Sequence, residues 1–289
     1  MRSTGRASWT QRCGSDVTRI GVLQMTSGID PAANAATMAD AVRRGAGEGA
    51  QMVFTPEMSG LLDKDRARAA AHIVAEHDDR VLAAGRDAAA KAGIWLAIGS
   101  LAVRREGGDG RYANRSLVIG PDGEIRARYD KIHMFDVDLA TGESWRESKA
   151  YAPGDAVAVV EGTPVGRLGL AVCYDIRFPA LFEALGQRGC DAIAIPAAFT
   201  VPTGQAHWHL LQRARAVEAS AFVIAAAQAG RHADGRETYG HSLVVDPWGD
   251  VLLDMGGQAG LAFAEIDPAR IAEVRRQLPS LANRRAIPN

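Results

Sequence analysis

The chemistry this chain can do begins at Cys173. It follows Gly166-Arg167-Leu168-Gly169-Leu170-Ala171-Val172, which continues from Val165 as a mostly small, apolar run and reads as a buried strand. Asp175, Arg177 and Pro179 interrupt the run, and Phe178 to Leu185 has helical spacing. The thiol therefore falls on a strand-to-helix turn, where its side chain is presented and a helix N-terminus favours a nearby anion. A single thiol is equally consistent with a small buried core residue and needs partners before it counts as a nucleophile. Glu57 and Lys131 are two candidates. A carboxylate can take a thiol's proton when burial raises its basicity. An ammonium, together with the backbone N–H of Tyr174, can hold an oxyanion. The three side chains make sense together as acyl transfer through a thioester. Taken singly, Glu57 reads as a surface turn residue and Lys131 as half of an exposed ion pair.

The elements that must position these groups are legible in outline. Arg19 to Met25 and Gln51 to Phe54 read as strands, and Pro56, excluded from a central strand, leaves Glu57 just past the second one. Asp30-Pro31 opens a helix running to about Gly49, and Asp267-Pro268 opens a last one, with Asp as N-cap and Pro at the first position. Arg66 to Ala92 is Ala-rich and helical, with a break near Asp78-Asp79. Ile94 to Gly99, Asn114 to Ile119 and Ile125 to Tyr129 read as strands, the last two joined by a hairpin signal at Gly120-Pro121-Asp122-Gly123. Lys131 then enters a long stretch, 130–154, without clear periodicity, which also carries Trp145 and Glu147. Beyond the Cys173 turn come strands over Asp191 to Ile195 and Phe222 to Ala227, a helix over Thr203 to Ala219, and strands over His241 to Val245, Val251 to Met255 and Leu261 to Ile266. Alternating strands and helices predict a single α/β domain over residues 17–289. Residues 1–16, with three arginines and no apolar centre, read as a disordered extension. Glu57, Lys131 and Cys173 all lie at or just past strand C-termini, the edge where α/β proteins bind ligands.

Composition excludes several classes. A formal net charge of −1 gives no field for nucleic acid or an anionic membrane, and no apolar stretch is long and clean enough to span a bilayer. Three cysteines do not form a disulfide framework, which fits a reducing, cytoplasmic setting. His207, His209, His232 and His241 lack the H-E-x-x-H spacing and have no supporting Cys pair, so no metal site is expected. Lysine is rare: only Lys64, Lys91, Lys131 and Lys149 occur.

The motifs resemble those of the nitrilase superfamily of carbon–nitrogen hydrolases. Thr55-Pro56-Glu57 is similar to its Pro-Glu motif, Tyr129-Asp130-Lys131-Ile132-His133 to its Lys motif, and Val172-Cys173-Tyr174-Asp175-Ile176-Arg177-Phe178-Pro179 to its Cys motif, in the family's order. Phe135-Asp136-Val137-Asp138, Thr203-Gly204-Gln205-Ala206-His207-Trp208 and Tyr239-Gly240-His241-Ser242 resemble the Nit branch, which contains omega-amidases and deaminated glutathione amidases. Ala180, where many members carry Glu, is a departure. The resemblance implies a four-layer αββα sandwich, no cofactor, and a homodimer or larger homo-oligomer pairing through the helices that follow Cys173 and Pro196. It implies Cys173 as nucleophile, Glu57 as general base and acid, Lys131 as oxyanion cation, and Glu147 as the second glutamate that orients substrate or Lys131. By position, Arg177, Phe199 and Thr200 are candidate substrate contacts. Arg177 could meet a substrate carboxylate through a bidentate contact, or serve packing. The implied activity is hydrolysis of a primary amide of a small carboxylate-bearing substrate, deaminated glutathione favoured, to acid and ammonia. Omega-amidase, N-carbamoyl amino-acid hydrolase, nitrilase and non-catalytic interaction protein are the alternatives.

Overall fold

A computed structural model describes residues 17–107, 109–140, 142 and 144–285; the expected 1–16 extension lies outside the described residues. The first half runs β1 (Thr18–Gln24), α1 (Pro31–Gly47), β2 (Met52–Phe54), α2 (Arg66–Ala70), α3 (Arg80–Ala92), β3 (Trp95–Arg104), β4 (Tyr112–Ile119) and β5 (Ile125–Asp130). A small hairpin of β6 (Asp136–Asp138) and β7 (Ser144–Arg146) follows. The second half runs β8 (Val159–Thr163), β9 (Gly166–Leu170), α4 (Pro179–Gln187), β10 (Ala192–Ala194), α5 (Val201–Ala219) and β11 (Phe222–Ala225). It ends with a second small hairpin, β12 (Ala229–Arg231) and β13 (Glu237–Tyr239), then β14 (Leu243–Val245), β15 (Val251–Asp254), β16 (Gly260–Ile266) and α6 (Pro268–Gln277).

Two six-stranded sheets form, in the orders β16-β1-β2-β3-β4-β5 and β15-β14-β11-β10-β9-β8. Each has three parallel strands at its centre, β1-β2-β3 and β9-β10-β11, with antiparallel strands outside. Side chains alternate across each strand, which sorts them into layers. Met52 and Phe54, with Ile20, Val22 and Ala97, share one core with Leu168, Leu170, Phe222 and Ile224 of the other sheet. Val53, Leu96 and Ile98 point the other way and pack with Met38 and Val42 of α1 and Val81 and Leu82 of α3. On the far side, α5 packs on β11 and β14 and α4 packs on α5. The result is the expected αββα sandwich.

Local signals explain the element boundaries. Asp30 accepts from Ala32 N at 2.9 Å and Asp267 from Ala269 N at 2.9 Å, each ahead of a proline in the first turn. Asp79 caps α3 through Val81 N and Leu82 N, but the break in the expected helical stretch 66–92 is wider than Asp78-Asp79 suggested: α2 ends at Ala70, and residues 71–79 hold only a short 3₁₀ turn, Glu76–Asp78. The stretch 130–154 differs from a plain loop. Its β6–β7 hairpin has strands of three residues, too short to show a period of two.

One glycine carries the join between the layers and the site. A Cβ on Gly99 of β3 would lie 2.1 Å from the carbonyl O of Thr55 and 2.4 Å from that of Pro56. Those residues lead directly into Glu57. We expect Gly99→Ala to cost about 3 kcal/mol through backbone displacement and to lower turnover as Glu57 shifts. Thermal unfolding and steady-state assay of the variant check this; a variant with unchanged melting temperature would contradict it.

Candidate active site

Glu57, Lys131 and Cys173 meet at one wall of a cavity of about 650 Å³. Each is nearly sequestered from solvent, Lys131 at 2% and Glu57 at 4% exposure. Lys131 leaves the end of β5 and places its ammonium between two carboxylates. Nζ donates to Oε1 of Glu57 at 3.1 Å and to Oε1 and Oε2 of Glu147 at 3.0 and 2.8 Å. Burial pushes the ammonium down, but Glu147, Glu57 and Cys173 outweigh it and hold Lys131 well above its ordinary range. It is therefore a permanent cation.

Other donors fix the two glutamates. Asn114 Nδ2, from β4, reaches Oε1 of Glu57 at 2.9 Å and Oε1 of Glu147 at 3.2 Å. Ala198 N donates to Oε2 of Glu57 at 2.9 Å, and Phe135 N to Oε2 of Glu147 at 2.6 Å. Gln228 Nε2 holds the Glu57 carbonyl at 2.9 Å.

Cys173 occupies the turn between β9 and α4, on the first residue of a short 3₁₀ segment, Cys173–Arg177. Its φ of +52° lies in the left-handed region that non-glycine residues rarely adopt. Asp175 holds the turn in place. It is wholly buried. Its Oδ2 accepts from Val172 N at 2.9 Å and Tyr129 Oη at 2.7 Å. Its Oδ1 accepts from His133 N at 3.0 Å and lies 2.7 Å from His133 Nδ1. One carboxylate thus ties the Cys173 turn to the segment on both sides of Lys131. Burial, then the charge of Glu57, push the Cys173 thiol well above its ordinary value, against the pull of Lys131. The resting group is a thiol that needs a base at the moment of attack.

All the residues singled out in the sequence line this one cavity: Glu57, Lys131, Glu147, Cys173, Tyr174, Arg177, Phe199 and Thr200. Arg177 places its guanidinium 5.6 Å over the Phe199 ring and 3.3 Å from His207 Nδ1. Phe199 packs on Trp208 with centroids 4.9 Å apart. Sequence reasoning missed Asn114, Asp175 and Ala198 N. It also missed the cationic rim formed by Lys64, Arg66, Lys149 and Arg236, although the scarcity of lysine was a usable signal: three of the four lysines line the cavity. Trp145 of β7 lies under Arg236, whose guanidinium is 5.2 Å from the ring centroid.

Residues 19–276 match the family described as carbon-nitrogen hydrolase. The chain belongs to the carbon–nitrogen hydrolase family. Among its relatives, a protein of Yersinia enterocolitica named deaminated glutathione amidase is 39% identical over 270 residues, covering 93% of each chain. The Caenorhabditis elegans NitFhit protein superposes with a TM-score of 0.86 at 36% identity, over 94% of this chain and 66% of that one. The amidase of Nesterenkonia sp. AN1, in a mutant whose structure records Michael addition of acrylamide at its active-site cysteine, superposes with a TM-score of 0.74 at 27% identity, over 91% of this chain and 98% of that one. The cavity just described is the candidate active site of this hydrolase.

Because the charge of Glu57 raises the thiol, Glu57→Gln should move the Cys173 titration, followed by thiolate absorbance, to lower pH. A midpoint that stays or rises would contradict the electrostatic reading.

Proposed function

We propose that this carbon–nitrogen hydrolase is a cysteine-dependent amidase working through a thioester on Cys173. The observation that carries the reading is the meeting of a raised thiol, a carboxylate and a permanently charged ammonium on one cavity wall. As Sγ adds to the amide carbonyl carbon, its proton passes to Glu57. The carbonyl oxygen takes up negative charge beside the Lys131 ammonium and the Tyr174 N–H. On collapse the C–N bond breaks, Glu57 returns its proton to the leaving nitrogen, and the acyl group stays on sulfur. Water then gives a proton to Glu57 and its oxygen to the thioester carbonyl, and the sulfur leaves with that proton. One amide and one water become an acid and an amine, with the side chains restored. Glu147 is the positioning residue for Lys131.

For the substrate, the name of the Yersinia relative and the cationic lining favour deaminated glutathione. Among the described residues, Lys64, Arg66, Lys149 and Arg177 line the cavity without a carboxylate partner, whereas Arg146 and Arg236 pair with Asp138 and Asp234. A substrate carrying carboxylates on both sides of its amide fits cations spread around the mouth, with Arg177 as one clamp. The choice of substrate also sets the leaving group. Neither amide of deaminated glutathione is primary, so its cleavage at the acyl side releases cysteinylglycine instead of ammonia. Alpha-ketoglutaramate, the omega-amidase substrate, has a primary amide and does release ammonia. An assay limited to ammonia would miss the favoured reaction.

The reading includes a homodimer in the cytoplasm. Leu210 and Val217 stand exposed on α5, and Trp248, Val251 and Leu252 stand exposed in the β14–β15 hairpin, which meets α5 where Arg213 Nε donates to the Gly249 carbonyl at 2.7 Å. That is apolar surface of the kind a partner subunit covers. Among the described residues, no helix is long and apolar enough to cross a membrane.

The test is product analysis with deaminated glutathione, alpha-ketoglutaramate, an aliphatic nitrile and an N-carbamoyl amino acid, with Cys173→Ala as control. We expect cysteinylglycine from the first and loss of turnover by a factor of at least about 10³ in Cys173→Ala. Turnover of only another substrate would discard the substrate choice and keep the mechanism. Undiminished turnover by Cys173→Ala would discard the mechanism.

A further inference from the structure

A second group of chemically capable side chains lies away from the catalytic wall. His209 projects from α5, His241 from the segment between β13 and β14, and Asp254 from the end of β15. His209 Nε2 lies 2.9 Å from Oδ2 of Asp254, and His241 Nδ1 lies 2.9 Å from Oδ1. One nitrogen of each histidine and one carboxylate oxygen fall within 4.8 Å of one another. All three side chains are about one-third exposed, so water and ions reach them.

The surroundings hold these groups in place. His241 adopts φ +54°, a conformation that a non-glycine residue keeps only when its neighbours impose it. Its ring stacks on Tyr239 at 4.4 Å, and its carbonyl accepts from Trp208 Nε1 at 2.7 Å. Gly256 N donates to Oδ1 of Asp254 at 2.9 Å. The two imidazole rings stand edge to face, 5.2 Å between centroids.

We propose that His209, His241 and Asp254 form a binding site for a divalent transition metal of the zinc class. Two imidazoles and one carboxylate are a donor set that such ions take, with a fourth position left to water. Bonds of about 2.0–2.2 Å to each donor require the ligand atoms to shift by a fraction of an ångström from where they now hydrogen-bond. The sequence could not reveal this set by motif: Asp254 is 45 residues from His209 and 13 from His241. The metal would clamp α5 to the β14–β15 end of the second sheet. Trp208, held by the His241 carbonyl, packs on Phe199, so the clamp would steady one wall of the active-site cavity. The site takes no part in the bond-breaking chemistry.

The experiment uses the full chain carrying Cys173→Ala, so that the catalytic thiol does not bind the probe. Chelator-stripped protein is titrated with zinc chloride by calorimetry, with magnesium chloride as the hard-ion control. We expect one zinc per chain, no magnesium binding, and a rise in melting temperature of about 5 °C at a hundredfold excess over Kd. Adding His209→Ala or Asp254→Asn should remove both the binding and the shift. His209→Ala alters a partly exposed helix position, and its melting temperature without metal reports whether the fold is retained. The absence of stoichiometric zinc binding, or equal binding by the His209→Ala and Asp254→Asn proteins, would overturn the proposal.

Discussion

The buried ammonium of Lys131 is the constraint around which the site is built. A cation at that depth is costly unless paired, and two carboxylates close on it from different parts of the chain. Removing one partner of such a set leaves an uncompensated buried charge, at a cost of about 3–5 kcal/mol. Those carboxylates accept further hydrogen bonds, Glu57 from Asn114 and Ala198 N and Glu147 from Asn114 and Phe135 N. The cluster therefore fixes the ends of β2, β4 and β5 and the chain after β10 relative to one another. Positioning for catalysis and local stability are the same set of bonds here.

A second buried carboxylate solves a different problem. Cys173 sits in a strained backbone conformation, and the strain persists because the surroundings over-determine it. Asp175 supplies much of that determination by gathering donors from the Cys173 turn, from Tyr129 and from His133. The same residue ties the second sheet's turn to the first sheet's edge. On the proposed mechanism, nucleophile and oxyanion cation must keep a fixed separation, and Asp175 links their segments directly through Val172 N, Tyr129 and His133.

The sequence made the reactive groups legible because each lies at or just past a strand end: Glu57 after Pro56, Lys131 after Tyr129-Asp130, Cys173 after Val172. Their assembly was accessible only through the family resemblance, since periodicity sets neither strand order nor sheet pairing. Asn114 escaped notice because it is one polar residue in a strand, and its partner Glu57 is 57 residues away. The Ala198 N–H is invisible in sequence, since every residue but proline has one. The β6–β7 hairpin was unreadable for a similar reason: three-residue strands carry no periodicity, yet they deliver Trp145 to the cavity and set the entry of Glu147.

The covalent intermediate tests the account most directly. Protein mixed with deaminated glutathione, quenched in acid within a turnover and digested, should yield the Cys173 peptide heavier by the mass of the acyl group. No such adduct should form on any peptide of the Cys173→Ala protein. Product released in the wild-type reaction with no acyl adduct on Cys173 at any quench time, together with turnover that survives Cys173→Ala, would contradict acyl transfer through this thiol.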